Sequence, residues 1–199
     1  MRRRCGERPT ASLPPTRNTT SRTSITPCGH WNEPRPSACL PHCNVEDFAL
    51  TAAERRLFQA LDERGVRFLV IGLSAAVLEG APVATQDVDI WLERIDERVA
   101  QAAADASGFW ISGFGVQPPA FGGPDLDRID VVLTAHGLND FATEYEGSVV
   151  REVDGIQLRV LPLERVIASK RVTNRPKDVA ALPVLEATMA ARTESDDQI

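Results

Sequence analysis

The sequence predicts an α/β domain in which strands and helices interleave into a layered sandwich. Two observations carry that expectation. Short runs rich in β-branched and aromatic residues alternate with segments whose apolar residues recur at helical spacing. Glycine and proline fall at the boundaries between them, and no internal repeat points to another architecture.

The first element opens at Thr51. Thr51 followed by Glu54 forms a capping box, Leu57, Phe58 and Leu61 recur on one helical face, and Gly65 stands where a left-handed residue ends such a helix. Residues 66–71 (VRFLVI) read as a buried strand. Gly72 interrupts it, residues 74–78 form a short helix closed by Gly80, and beyond Pro82 the chain extends through 87–92 (DVDIWL). An alanine-rich helix over 96–107 stops at Gly108, and 113–125 (GFGVQPPAFGGPD) is a loop rich in Gly and Pro. Residues 128–134 (RIDVVLT) make a strand with one acid inside it. A short helix over 138–145 precedes two strands that turn at Asp154-Gly155, a dipeptide suited to a tight hairpin. Helices over 163–173 and from 176 to about 191 close the domain, with Pro176 at or near the first helical position.

Charge and composition divide the chain. Residues 1–43 hold seven Arg and two Glu, a net of +5 against −6 for the whole, which leaves −11 for the remainder. An acidic body is a poor dock for long nucleic acid, because phosphate neutralisation supplies most of that affinity. A small nucleotide needs only a local cationic cluster. Residues 1–44 read as a disordered basic tail rich in Pro, Arg, Ser and Thr, 45–191 as the folded domain and 192–199 as a frayed end. A start codon lying upstream of the true one is an alternative origin for the tail. All four cysteines (Cys5, Cys28, Cys39 and Cys43) lie there beside His30 and His42, and their spacing matches none of the usual zinc arrangements. A zinc-binding interaction element built from Cys28, His30, Cys39 and Cys43 stays open as a minor reading. No stretch approaches the roughly 18 apolar residues of a membrane span. Pro9, Pro14 and Pro15 break the apolar segment a secretory signal would place after Arg2, Arg3 and Arg4, so a cytoplasmic location without membrane contact is expected.

Three acids stand where acids are disfavoured. Asp87 and Asp89 share one strand run with Val88 and Ile90, and alternation sends both carboxylates to one face, about 7 Å apart along the strand. In the later strand Ile129, Val131 and Leu133 take one face and leave Asp130 on the other. An Asp-x-Asp at a strand start is by itself also read as an exposed edge or a turn cap. If the two strands are neighbours, three carboxylates meet on one patch, which is unfavourable without cations, and oxygen-only ligands suit Mg2+ or Mn2+.

The order of a strand ending at Gly72-Leu73-Ser74, a short helix, Gly80, Thr85 and Asp87-Val88-Asp89 resembles the signature of polymerase-β-type nucleotidyltransferases. More narrowly it looks like small bacterial minimal nucleotidyltransferases and AbiEii-type toxins. Arg175-Pro176-Lys177-Asp178 looks like the Arg-x-Lys-Asp that often opens their last helix. The resemblance covers residues 54–188 and implies a polymerase-β-like fold, a mixed central sheet flanked by helices. It implies Asp87, Asp89 and Asp130 as catalytic and metal-holding carboxylates, with Mg2+ or Mn2+ as cofactor and a nucleoside triphosphate as substrate. Gly72 and Ser74 would meet the phosphates at the helix start, and Lys170, in the basic cluster with Arg171, Arg175 and Lys177, is the chosen phosphate contact. The chain departs from the pattern at Leu73, where relatives keep Gly or Ser, and at Ala181, where they often have another Asp. Transfer of a nucleoside monophosphate to an unidentified acceptor follows, with a small molecule or a protein side chain preferred. The alternative is a catalytically weakened binding protein with a protein partner, as in a toxin–antitoxin pair. Asp178 is expected as a cap or first-turn acid, His136 as an incidental loop residue, and Trp91 as core.

Overall fold

The computed structural model describes residues 48–115 and 117–196. The tail and its cysteine readings lie outside them.

Helix α1 (Ala52–Glu63) starts at the expected capping box: Thr51 Oγ1 accepts from Glu54 N–H, and the Glu54 carboxylate accepts from Thr51 N–H at 2.8 Å. It ends in a Schellman turn, with Val66 N–H on Leu61 O and Gly65 N–H on Asp62 O, which requires the left-handed φ of 63° that Gly65 adopts. Strand β1 (Phe68–Val70) follows, buried throughout, then helix α2 (Gly72–Leu78) and strand β2 (Val88–Leu92). Asp96 caps helix α3 (Glu97–Asp105) by accepting from Arg98 N–H.

Here the sequence reading needs a correction. The predicted Gly- and Pro-rich loop contains strand β4 (Ala120–Gly122), which pairs antiparallel with strand β3 (Phe109–Ile111) as a separate two-stranded sheet. Trp110 opposes Phe121 in that register, and their rings meet edge-on at 4.9 Å. Strand β5 (Ile129–Val132) ends before Leu133, which is therefore 57% exposed instead of inward-facing.

Helix α4 (Phe141–Glu146) is capped by Asp140. Strands β6 (Val149–Val153) and β7 (Ile156–Val160) form the predicted hairpin, with positive φ at both Asp154 and Gly155 as a two-residue turn demands. Helix α5 (Leu163–Thr173) ends at Asn174 in the left-handed conformation, and helix α6 begins at Pro176 as expected. It runs on to Asp196, past the predicted stop near residue 191.

The main sheet has the order β5-β2-β1-β7-β6. β1 is antiparallel to β2 and parallel to β7, β2 is parallel to β5, and β6 is antiparallel to β7, which makes the sheet mixed. Helix α1 packs on α3, and α5 packs on both α2 and α6, so the expected mixed α/β architecture with flanking helices is present. Val88, Ile90, Leu158 and Val160 are fully buried in the core. Among the described residues no helix is long and apolar enough to cross a membrane.

Candidate functional site

A cleft of about 260 Å³ opens where β1 and β7 end and β2 begins. Ile71, Gly72 and Leu161 form part of its wall, and Asp87, Asp89, Asp130 and Lys170 all line it. As strand alternation predicts, Val88 and Ile90 enter the core, and β2 and β5 are neighbours in a register that sets Asp89 opposite Asp130. Asp87 and Asp130 are exposed and Asp89 is half-buried.

None of these three carboxylates receives a hydrogen bond or forms an ion pair among the described residues. Burial, then the charge of Asp130, push the Asp89 carboxyl above its ordinary value, and Lys170 opposes the shift. Asp130 is pushed up as well, by burial and by Asp87, with Lys177 opposing. A half-buried acid without a donor beside two like charges is the arrangement that an external cation relieves. The oxygen-only set fits a hard divalent ion in chemistry, although no three His, Cys, Asp or Glu side chains among the described residues stand close enough to enclose one.

The turn between β1 and α2 is shaped around Asp89. Gly72 has φ 67°, and a Cβ there would overlap an Asp89 carboxylate oxygen and lie 2.8 Å from its Cγ. Only glycine fits that position. Ile71 N–H bonds Asp89 O at 3.0 Å, closing the strand pair just ahead of the turn. Ser74, expected to face phosphate, does something else. It is fully buried, donates from Oγ to Ile71 O at 2.8 Å and accepts Asp89 N–H at 3.2 Å. Its hydroxyl is committed to the backbone of the two strands because α2 begins two residues earlier than expected and turns Ser74 inward. Leu73 lines the cleft in its place.

Across the cleft stands a basic wall. Lys170, on the last turn of α5, is 8% exposed and bonds Asp178 at 3.0 Å. The left-handed Asn174 folds α6 back so that its first turn faces the last turn of α5, placing Asp178 at a positive helix end and Lys170 at a negative one. Asp178 is more than the expected first-turn acid. It also accepts from Thr173 Oγ1 at 2.8 Å and from Arg175 Nε at 2.6 Å. Burial alone would raise its carboxyl, but the bonds from Arg175, Lys170 and Thr173 overcome that and hold it well below the usual range. Arg175 and Lys177 border the same cleft. Arg171 does not: it pairs with Glu186 at 2.7 Å on a different surface.

The loop after β5 closes a third side. His136 lines the cleft, and its carbonyl accepts from Ser169 Oγ at 2.8 Å. Glu144, buried, accepts from Asn139 N–H and pairs with Arg165, which ties α4 and this loop to α5. Sequence reasoning named neither pair, since Arg165 and Glu144 each look like an ordinary surface charge. Trp91 packs edge-on against Phe141 at 5.3 Å, as a core residue should. Ala181 packs half-buried against the core.

No protein-family model matches the chain, and no curated protein matches it. Among solved structures it is similar to an antigenic nucleotidyltransferase-like protein from Paracoccidioides brasiliensis, at 17% identity over 67% of this chain and 74% of that one, with a TM-score of 0.49. It is also similar to the antibiotic-resistance factor ANT(2'')-Ia in solution, at 15% identity over 73% and 92% of the two chains, with a TM-score of 0.47. A third similarity is to ANT(2'')-Ia in complex with adenylyl-2''-tobramycin, at 16% identity over 70% and 88%, with a TM-score of 0.47.

Proposed function

We propose that the chain is a metal-dependent nucleotidyltransferase, moving a nucleoside monophosphate from a nucleoside triphosphate to a hydroxyl of a separate acceptor. One observation carries the reading: a single cleft is lined by three carboxylates that have no hydrogen-bond or ion-pair partner among the described residues, and by a nearly buried lysine. Asp87, Asp89 and Asp130 would hold Mg2+ or Mn2+, which when bound neutralises charge on the triphosphate and steadies the attacking and leaving oxygens. Lys170 donates to phosphate oxygens, with Arg175 and Lys177 at the rim. Gly72 and Leu73 form the surface on which the phosphates lie. Asp130, exposed on the cleft wall, takes the proton of the acceptor hydroxyl. The acceptor oxygen then bonds the α-phosphorus, the bond from that phosphorus to its bridging oxygen breaks, and pyrophosphate leaves.

The charge of −11 outside residues 1–43 favours a small molecule or a protein side chain as acceptor over a long nucleic acid. Leu73 supports a second reading. An apolar side chain on the cleft wall, with Ser74 turned inward, suits a catalytically weakened fold that binds a protein partner, as in a toxin–antitoxin pair.

Calorimetry with Mn2+ and each of the four nucleoside triphosphates tests the choice. Binding that requires the metal and is lost in Asp87→Ala/Asp89→Ala supports the transferase and names the donor. A folded wild type that binds none of the four overturns it in favour of the partner-binding reading.

A further inference from the structure

Asp178 is the most fully partnered carboxylate at the cleft. Its Oδ1 accepts from Lys170 Nζ at 3.0 Å and its Oδ2 from Thr173 Oγ1 at 2.8 Å and Arg175 Nε at 2.6 Å. The carboxylate has no solvent exposure, and the Lys170 side chain only 10%. The pair is almost wholly shielded from water, so each favours the other's position. Lys170 has three N–H groups and gives one to Asp178, while its charge acts on Asp89 across the cleft. Thr173 and Arg175 occupy Oδ2, so Asp178 does not confront the cleft as a free anion.

We propose that Asp178 is a positioning residue for the donor's phosphates: it holds the Lys170 ammonium at one place on the cleft wall and so sets triphosphate affinity without touching the ligand. The proposal rests on the transferase reading and extends it to the residue that makes Lys170 competent. Asp178→Asn removes a negative charge beside the phosphate site, so charge alone predicts tighter binding of a polyanion. Loss of position predicts weaker binding, because a loosened lysine no longer presents its N–H groups to the ligand.

Titration of the full chain with Mg2+ and inorganic tripolyphosphate separates the two, using a probe that does not depend on which nucleoside is the donor. The expected result is about tenfold weaker binding by a folded Asp178→Asn variant. Lys170 should at the same time become more reactive to trinitrobenzenesulfonate, read by mass spectrometry. Affinity that is unchanged or higher overturns the proposal, as does unchanged labelling of Lys170. Should Asp178→Asn fail to fold, Asp178→Asn/Lys170→Met, which removes both members of the buried pair, is compared with Lys170→Met alone. Equal affinities support action through Lys170, and a further loss in the double variant overturns it. A wild type that binds no tripolyphosphate overturns the proposal, while the transferase reading is decided separately by binding of the nucleoside triphosphates.

Discussion

Asp178 and Asp89 face the same cleft and are treated in opposite ways. Asp178 is fully buried and receives donors from Lys170, Thr173 and Arg175, which hold its carboxyl low. Asp89 is half-buried, receives none among the described residues and sits opposite Asp130, which helps to hold its carboxyl high. The first is an acid the protein has satisfied for itself. The second is not satisfied by any donor among the described residues. Two acids on one cleft are thus told apart by their donors, a difference that their shared residue type does not reveal.

The largest effect that would sharpen this contrast is on stability. Asp178→Ala strands a buried lysine and should lower unfolding free energy by about 3–5 kcal/mol in urea melts. A loss near zero would mean that Lys170 swings to solvent, and the contrast would collapse. Next in size, Gly72→Ala forces a side chain into a left-handed position against Asp89, and we expect a loss of about 2 kcal/mol or more. Divalent-ion binding should fall with it, read by Mn2+ titration.

Asp89→Asn should act in the other direction, stabilising the protein at neutral pH by about 1 kcal/mol and, on the proposed function, abolishing transfer. The sign follows from linkage. Asp89 and Asp130 lie above the ordinary 3.8 in the folded state, so the stability they contribute is complete below 3.8 and disappears as pH rises through their raised values. Asp178 lies below 3.8, so its contribution is complete above 3.8 and disappears as pH falls through its depressed value. Urea midpoints from about pH 3 to 7 should show both trends in the wild type and a diminished first trend in Asp89→Asn. The smallest effect is that of Arg171→Ala. Arg171 and Glu186 are both well exposed, so the change should cost less than about 0.5 kcal/mol and leave tripolyphosphate binding unchanged.

Much of the acid wall was legible in the sequence, because alternation in β2 and β5 is a local rule: Val88 and Ile90 go in, so Asp87 and Asp89 come out. The caps at Thr51 and Gly65 and the Asp154-Gly155 turn were readable for the same reason. What escaped was set by distant partners. β3 and β4 are three residues each, too short to show a period, and Trp110 finds Phe121 only across the hairpin. Ser74 looked like a phosphate donor because nothing nearby in sequence shows that Asp89 N–H would claim its oxygen. Glu79 is buried at the end of α2 between Arg151 and Arg192, one on a strand and one near the end of the last helix. Lys170, chosen as a phosphate contact, lines the cleft, yet its partner became visible only once Asn174 had folded α6 back against α5.

The register of β2 against β5 also acts on how fast the chain reaches this state. Parallel strands cannot meet through a tight turn, and here the connection runs through α3 and the β3–β4 hairpin. Asp89 and Asp130 therefore meet only through a non-local closure, which already bears the entropy of a long loop. Their repulsion adds to that barrier, and its relief speeds the reverse step. An acid pair set face to face on neighbouring strands thus doubles as a brake on their docking, and neutralising it should let β5 dock sooner and leave later.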